Sequence, residues 1–341
     1  MRVHRFWPRQ GGRPAALVIA TLLTSLLTVA ASSQTAAQDW TQEAQEILAG
    51  HRHGLRPVDS GLRLPTPRYG MPAVVLGESI FVIGGQGKGS FQGEVVQVNP
   101  ASRTVTTVSK ALLPRRYHAA AAVGRFLYVF GGVTPSDGPK NITNIVERFN
   151  TETGEVTLLA PMPTPLRLPG AVAVGSKIYV IGGSDRTGEH VGTVAIYDTR
   201  TDAWTEGAPM PAARECAFVV RNGSIYAVGG FNGEKAMTDF DVYSIAKNTW
   251  TTLPPIPFTL SAHHVTLLND RIYAFGDYNV PERGAVYDFE ERRWGPLQDA
   301  GFVGSRNNPV VALNGTLYVL GGNINAEGTT LDLIQSFVPR F

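Results

Sequence analysis

Six short apolar runs recur along the chain, each with an aromatic residue inside and a glycine at its end. They read IFVIGG, LYVFGG, IYVIGG, IYAVGG, IYAFGD and LYVLGG. Aligned on the first glycine (Gly84, Gly131, Gly182, Gly229, Gly276 and Gly321), they are spaced 47, 51, 47, 47 and 45 residues apart. A near-constant period of this size marks stacked supersecondary units. In the fifth copy Asp277 stands where the second glycine is expected.

Each unit predicts four strands. An apolar run comes first, such as HAAAAV at 118–123. A tight turn follows, as at Asn222-Gly223, Asn269-Asp270 and Asn314-Gly315, which are hairpin-turn residues. The Gly-Gly strand is second. A variable loop leads to a third strand, for example VAIYD, and a fourth carries Trp204, Trp250 or Trp294, with Val105 and Val156 at related places. The aromatic three residues before each glycine (Phe81, Tyr128, Tyr179, Tyr226, Tyr273, Tyr318) is expected to pack between units. Four antiparallel strands repeated six times predict an all-β, six-bladed propeller. After Gly322 only one further strand is available, near Leu331–Pro339, and Arg56–Leu64 reads as a lone strand. The N-terminal strand is therefore expected to close the last blade, leaving few exposed edges.

The start of the chain follows another pattern. Arg2, Arg5, Arg9 and Arg13 precede the apolar run 15–31, and small residues follow. This reads as a secretory signal peptide over residues 1–37, cut near 31 or 37; the alternative is an uncleaved membrane anchor. Residues 38–55 form an N-terminal segment with a short helix expected in 40–50, and 56–341 form the propeller. Losing the four leader arginines turns a formal charge of +2 into −2. The mature chain thus lacks the basic excess of a nucleic-acid binder and is expected to be free of the membrane, in the periplasm or secreted. Cys216 is the sole cysteine, so no intramolecular disulfide forms and packing must hold an exported fold together.

The repeated Tyr-x-x-Gly-Gly pattern, with a downstream Tyr and Trp, resembles the kelch family of β-propellers over nearly all of the mature chain. The resemblance implies the fold. It leaves activity open, because such propellers include binding modules, adaptors and some enzymes.

Strand order places the Gly-Gly ends, the loops after them and the entrances of the first strands on one face, here called the top. Fifteen residues before each first glycine stand Tyr69, Arg116, Arg167, Arg214, Ser261 and Arg306, with Arg68 and Arg115 one position earlier. Arginines around a concave mouth suit carboxylate or phosphate; the structural alternative is pairing with loop acids or carbonyls. Two positions further on are Met71, His118, Pro169, Cys216, His263 and Asn308. Period two gives them the same facing as the preceding set, towards the channel, with His264 facing the other way. The candidate ligand-binding set is Arg68, Arg115, Arg116, Arg167, Arg214, Arg306, His118 and His263. No cofactor is implied, and no metal: the only His/Cys residues near the channel sit in three blades with no short ligand spacing.

These residues lead first to a binding module outside the cytoplasm, taking an acidic peptide or a charged glycan on its top face. Kelch adaptors hold acidic peptides with arginines at this place. A second reading is a mutarotase of an anionic sugar, by resemblance to exported kelch proteins that interconvert sialic acid anomers, with His118 and His263 as acid and base and Glu215 as a weaker candidate. A third is an interaction propeller with no small ligand. A copper radical oxidase is disfavoured, since that chemistry draws on a Cys–Tyr crosslink and on domains outside the propeller. Of three Asn-x-Ser/Thr sites, those at Asn222 and Asn314 coincide with predicted turns, and Asn141 is the better glycan acceptor.

Overall fold

A strand needs a partner on each side, and each Tyr-x-x-Gly-Gly run finds both within its own repeat. We describe the protein from a computed structural model covering residues 53–135, 141–298, 301–324 and 329–340. The leader at 1–37 and the short helix expected in 40–50 lie outside these residues. Among the described residues every regular element longer than one turn is a β-strand. In blade 2, for example, Ala119–Val123, Phe126–Phe130, Val146–Asn150 and Val156–Leu159 pair antiparallel in that order. Blades 1, 3, 4 and 5 repeat the arrangement. The first strands of neighbouring blades touch in sequence around the molecule, and blade 6 touches blade 1. The protein is a six-bladed propeller.

Closure follows the expected logic with a shifted boundary. The fourth strand of blade 6 is His53–Val58, antiparallel to Ile334–Arg340 with Leu55 opposite Pro339. It begins three residues before the expected start, and past Val58 only Arg63 still bridges to Leu333. The same strand runs parallel to Arg293–Gln298 of blade 5 at His53 and Gly54, joining the two blades into one eight-stranded sheet.

The core lies between blades. Six apolar clusters occupy the six blade interfaces, from Ile80 with Val311 and Tyr318 (blades 1 and 6) to Val228 with Ile272 and Tyr287 (blades 4 and 5). Phe81, Tyr128, Tyr179, Tyr273 and Tyr318 are buried as expected. Two tryptophans also link blades through hydrogen bonds: Trp204 Nε1 donates to Ala160 O of blade 2 at 3.1 Å, and Trp250 Nε1 to Ala208 O of blade 3 at 2.8 Å.

The glycine pair has a specific task. Both glycines have positive φ, for instance +66° at Gly182 and +94° at Gly183, a conformation that a Cβ opposes. The second glycine N–H then donates to the entrance residue of the next blade: Gly85 to Arg115 O, Gly132 to Leu166 O, Gly183 to Arg214 O, Gly230 to Leu260 O and Gly322 to Arg68 O. A methyl at Gly182 would lie 2.4 Å from Arg214 O. In blade 5 the chain takes another course. Asp277 is not left-handed. Its buried carboxylate accepts from Ser261 N, Asn279 N and Val280 N and pairs with Arg283.

Candidate functional site

The predicted arginines occupy two adjacent positions at the top of the inner strands, and the two have opposite fates. Arg68, Arg115 and Arg214 are 0%, 1% and 0% exposed. Each guanidinium donates to the carbonyl of its own blade's first glycine (Gly84, Gly131, Gly229) and pairs with an acid at the third strand (Glu94, Glu147, Asp241). These three arginines cap a left-handed turn inside the blade and present nothing to a ligand in the mouth. Their removal from the candidate set is a correction, and its cause is the fixed carbonyl and carboxylate beneath them. Blades 3 and 5 carry Leu166 and Leu260 at this position. At the place of Glu147 they have Ala195 and Ala285, so an arginine–acid pair is exchanged for a leucine–alanine pair.

Blade 4 is one residue short, so fifteen residues before its first glycine stands Arg214, the inner arginine, and not a mouth residue. The true mouth position bridges the residue two after the first glycine: Tyr69 to Gln86, Arg116 to Val133, Arg167 to Ser184 and Arg306 to Asn323. In blade 4 the residue paired there is Glu215, opposite Phe231, and a register shift separates it from Ala217. The mouth therefore carries Arg116, Arg167, Arg306 and one carboxylate.

Arg116 lies over the rings of Tyr117 (4.8 Å), Phe91 (5.5 Å) and Tyr69 (5.7 Å), and its Nη1 donates to Tyr69 Oη and Gln86 Oε1. Burial, opposed by the Arg116 charge, pushes the Tyr117 hydroxyl up to about 12. Arg167 donates from Nε to Ser184 Oγ, and its side chain is 40% exposed. Arg306 stacks 3.8 Å above Tyr278 and donates from Nη1 to Tyr278 O. Glu215 Oε2 stands 3.8 Å from Arg167 Nη2 and 3.5 Å from His190 Nε2. Neither Glu215 Oε2 nor His190 Nε2 makes a hydrogen bond, though both atoms are buried. His190, on the variable loop of blade 3, is a mouth residue that no repeat position announced.

The histidines require a second correction. Each blade stands radially, so the inner strand turns its backbone edge towards the channel and its side chains towards the neighbouring blades. His118 and His263 are accordingly interblade residues. Their Cε1 atoms lie 2.9 and 3.2 Å from where a methyl on Gly84 or Gly229 of the preceding blade would sit. Both border the central cavity of about 180 Å³. Burial, reinforced by Arg115, holds His118 well below the ordinary imidazole range. Burial and the neighbouring His264 bring His263 down to about 4. Both are neutral rings at pH 7, and neither has a carboxylate within hydrogen-bond or ion-pair reach to hold or relay a proton. His264, expected to face away, also borders the cavity. Cys216 occupies the place of His118 in blade 4, and burial pushes its thiol up to about 11.

A profile of the KLHDC2/KLHL20/DRC7 Kelch-repeats domain matches residues 70–277. The chain belongs to the kelch-repeat family. This kelch protein is 34% identical over 208 residues to kelch-like protein terF of Aspergillus terreus, covering 55% of the chain and 45% of that protein. It is 27% identical over 267 residues to human Kelch domain-containing protein 3, covering 69% of each. Over 246 residues it is 27% identical to Beta-scruin of Limulus polyphemus, covering 66% of the chain and 27% of that protein. The kelch chain thus spans less than half the length of terF and of Beta-scruin.

One signal could have sorted the arginines of this kelch propeller beforehand. Arg68, Arg115 and Arg214 each precede, by 26, 32 and 27 residues, an acid beside an apolar third strand (EVV, VERF, FDV). Where the acid is missing the arginine is leucine or serine. His190 carries no comparable signal, because its loop varies from blade to blade.

Proposed function

We propose that this kelch propeller holds an acidic group of its ligand in the top-face mouth, with Arg116, Arg167 and Arg306 as the binding cations. Kelch propellers generally serve as protein-interaction modules, and the ligand of choice is an acidic peptide segment of a partner protein; a charged glycan offers the same carboxylate chemistry. The observation that carries the reading is the split of the arginines. Three are consumed by structural acids, and three line the mouth with part of each guanidinium uncommitted to hydrogen bonds, Arg167 exposed beside Glu215 and Arg306 only 5% exposed. Arg116 and Arg306 are backed by aromatic rings, and guanidinium groups make forked bonds to carboxylate. The basic and apolar leader supports an extracytoplasmic setting.

The test is calorimetric titration of the protein with a glutamate-rich peptide and with sialic acid, each beside its uncharged counterpart. Binding of an acidic probe that falls at least tenfold in Arg116→Ala/Arg167→Ala, and weakens with salt, supports the reading. Unchanged affinity in that variant sinks it.

A further inference from the structure

Five blades place one left-handed residue at the top of the channel: Gly70, Tyr117, Leu168, Ala262 and Asn307, with φ between +51° and +66°. These residues hydrogen-bond to each other around the channel. Leu168 N–H donates to Tyr117 O (2.7 Å), Tyr117 N–H to Gly70 O (2.6 Å), Gly70 N–H to Asn307 O (2.9 Å) and Asn307 N–H to Ala262 O (2.8 Å). The chain of bonds would be a complete ring if blade 4 had the corresponding residue. Blade 4 passes directly from Glu215 to Cys216, one residue short.

The deletion leaves one donor and one acceptor. Ala262 N–H lacks the carbonyl it would meet, and Leu168 C=O lacks the N–H it would receive; neither has another partner among the described residues. Glu215 is the blade-4 residue at the break, and its Oε2 is buried without a hydrogen bond, 3.8 Å from Arg167 Nη2 and 3.5 Å from His190 Nε2. Leu168, Glu215 and Ala262 all line the same central cavity. Leu168 and Ala262 are half-buried, and a buried oxygen such as Glu215 Oε2 is costly unless something satisfies it.

We propose that the interrupted ring at blade 4 is a recognition site for a primary carboxamide, presented by an Asn or Gln side chain of a partner protein. Such a group has one acceptor oxygen and two N–H donors. Its oxygen accepts from Ala262 N–H, one N–H reaches Leu168 C=O and the other reaches Glu215 Oε2. The amide thereby takes the place of the peptide group that blade 4 omits. A carboxylate in this place would set its charge against Glu215, and an alcohol would leave one of the three groups unmet. The site adjoins the arginine-held acidic group, since Glu215 Oε2 lies 3.8 Å from Arg167 Nη2, but its three hydrogen bonds use none of the mouth arginines.

The experiment is a titration of the ¹⁵N-labelled whole chain with N-acetyl-glutamine methylamide, read at the Ala262 amide resonance. N-acetyl-glutamate methylamide is the matched acid, and free L-glutamine separates a small metabolite from a peptide-borne side chain. The expected result is a saturable downfield shift of Ala262 with the glutamine peptide and none with the acid. Affinity falls about tenfold in Glu215→Leu, as for loss of a hydrogen bond to a charged group. Insertion of one glycine after Glu215 closes the ring, raises the melting temperature and abolishes the shift. The proposal is overturned by no saturable shift, which leaves water alone in the gap, or by an equal shift with the acid. Undiminished affinity in Glu215→Leu overturns it as well, whether or not the insertion variant folds. Tighter binding of free L-glutamine than of the peptide overturns the assignment to a partner protein.

Discussion

Arg115 and Glu147 form an ion pair sealed inside blade 2, with side chains only 1% and 5% exposed. The same guanidinium donates to Gly131 O and Ile145 O. It therefore ties the second strand, the third strand and the top turn together. Removing one partner strands the other charge in the interior, which costs about 3–5 kcal/mol. Arg115→Ala should lose that much stability in urea unfolding, and Arg214→Ala, which strands Asp241, should lose a similar amount. The leucine–alanine exchange in blades 3 and 5 makes a sharper claim. Arg115→Leu combined with Glu147→Ala should recover most of the loss, giving a coupling energy of about 2 kcal/mol or more in the double-mutant cycle.

The mouth arginines should behave differently. Arg116→Ala and Arg167→Ala remove partly exposed groups whose neighbours are hydroxyls, an amide, aromatic faces and, for Arg167, the Glu215 carboxylate at the long distance of 3.8 Å. Each should shift stability by no more than about 1 kcal/mol. A loss like that of Arg115→Ala would show that these residues, too, are structural.

His263 predicts a pH dependence. Its folded value is near 4, lowered by burial and then by His264, against about 6.5 in the unfolded chain. Between those values the unfolded state binds more protons, so stability rises with pH there and falls on acidification. The melting temperature should hold steady above pH 7 and drop progressively from pH 6.5 towards pH 4. His263→Gln should flatten part of that slope. An unchanged profile would mean that the ring takes up its proton at the same pH in the folded and unfolded chain.

Two glycines allow a paired comparison. At Gly132 (φ +93°) a methyl would lie 2.6 Å from His118 Cβ and 2.8 Å from Arg116 O, whereas at Gly124 (φ +60°) nothing lies within 4 Å. Gly124→Ala should cost about 1 kcal/mol, the backbone penalty alone. Gly132→Ala adds backbone collision and should cost at least twice as much. Equal losses in denaturant unfolding would contradict the close approach of blade entrance and glycine turn.

Cys216 should be a slow thiol. Burial raises its value to about 11, so little thiolate exists at pH 8. Reaction of the native protein with a disulfide reagent at that pH should run at least tenfold slower than reaction of the denatured chain. Equal rates would place the sulfur in open contact with solvent.

The sequence by itself determined the propeller. Repeat length, alternation, hairpin turns and the Gly-Gly pair are local backbone requirements, and each blade states them again within its own stretch of chain. The closing strand was legible for the same reason, since a three-stranded last repeat demands a partner, although its start moved from Arg56 to His53. Tertiary structure alone decided the site. Whether Arg115 or Arg116 faces the mouth depends on an acid about thirty residues away in another strand, and spacing does not reveal that without the pairing. His118 and His263 turned out to be interblade groups because blades stand radially, so the alternation that sorts side chains sorts them between two neighbours. A single missing residue in blade 4 put Glu215 where an arginine was expected and opened the ring between Leu168 and Ala262. A one-residue deletion is nearly invisible in a repeat whose length already varies, yet it shifts the strand's register and with it every contact at the mouth.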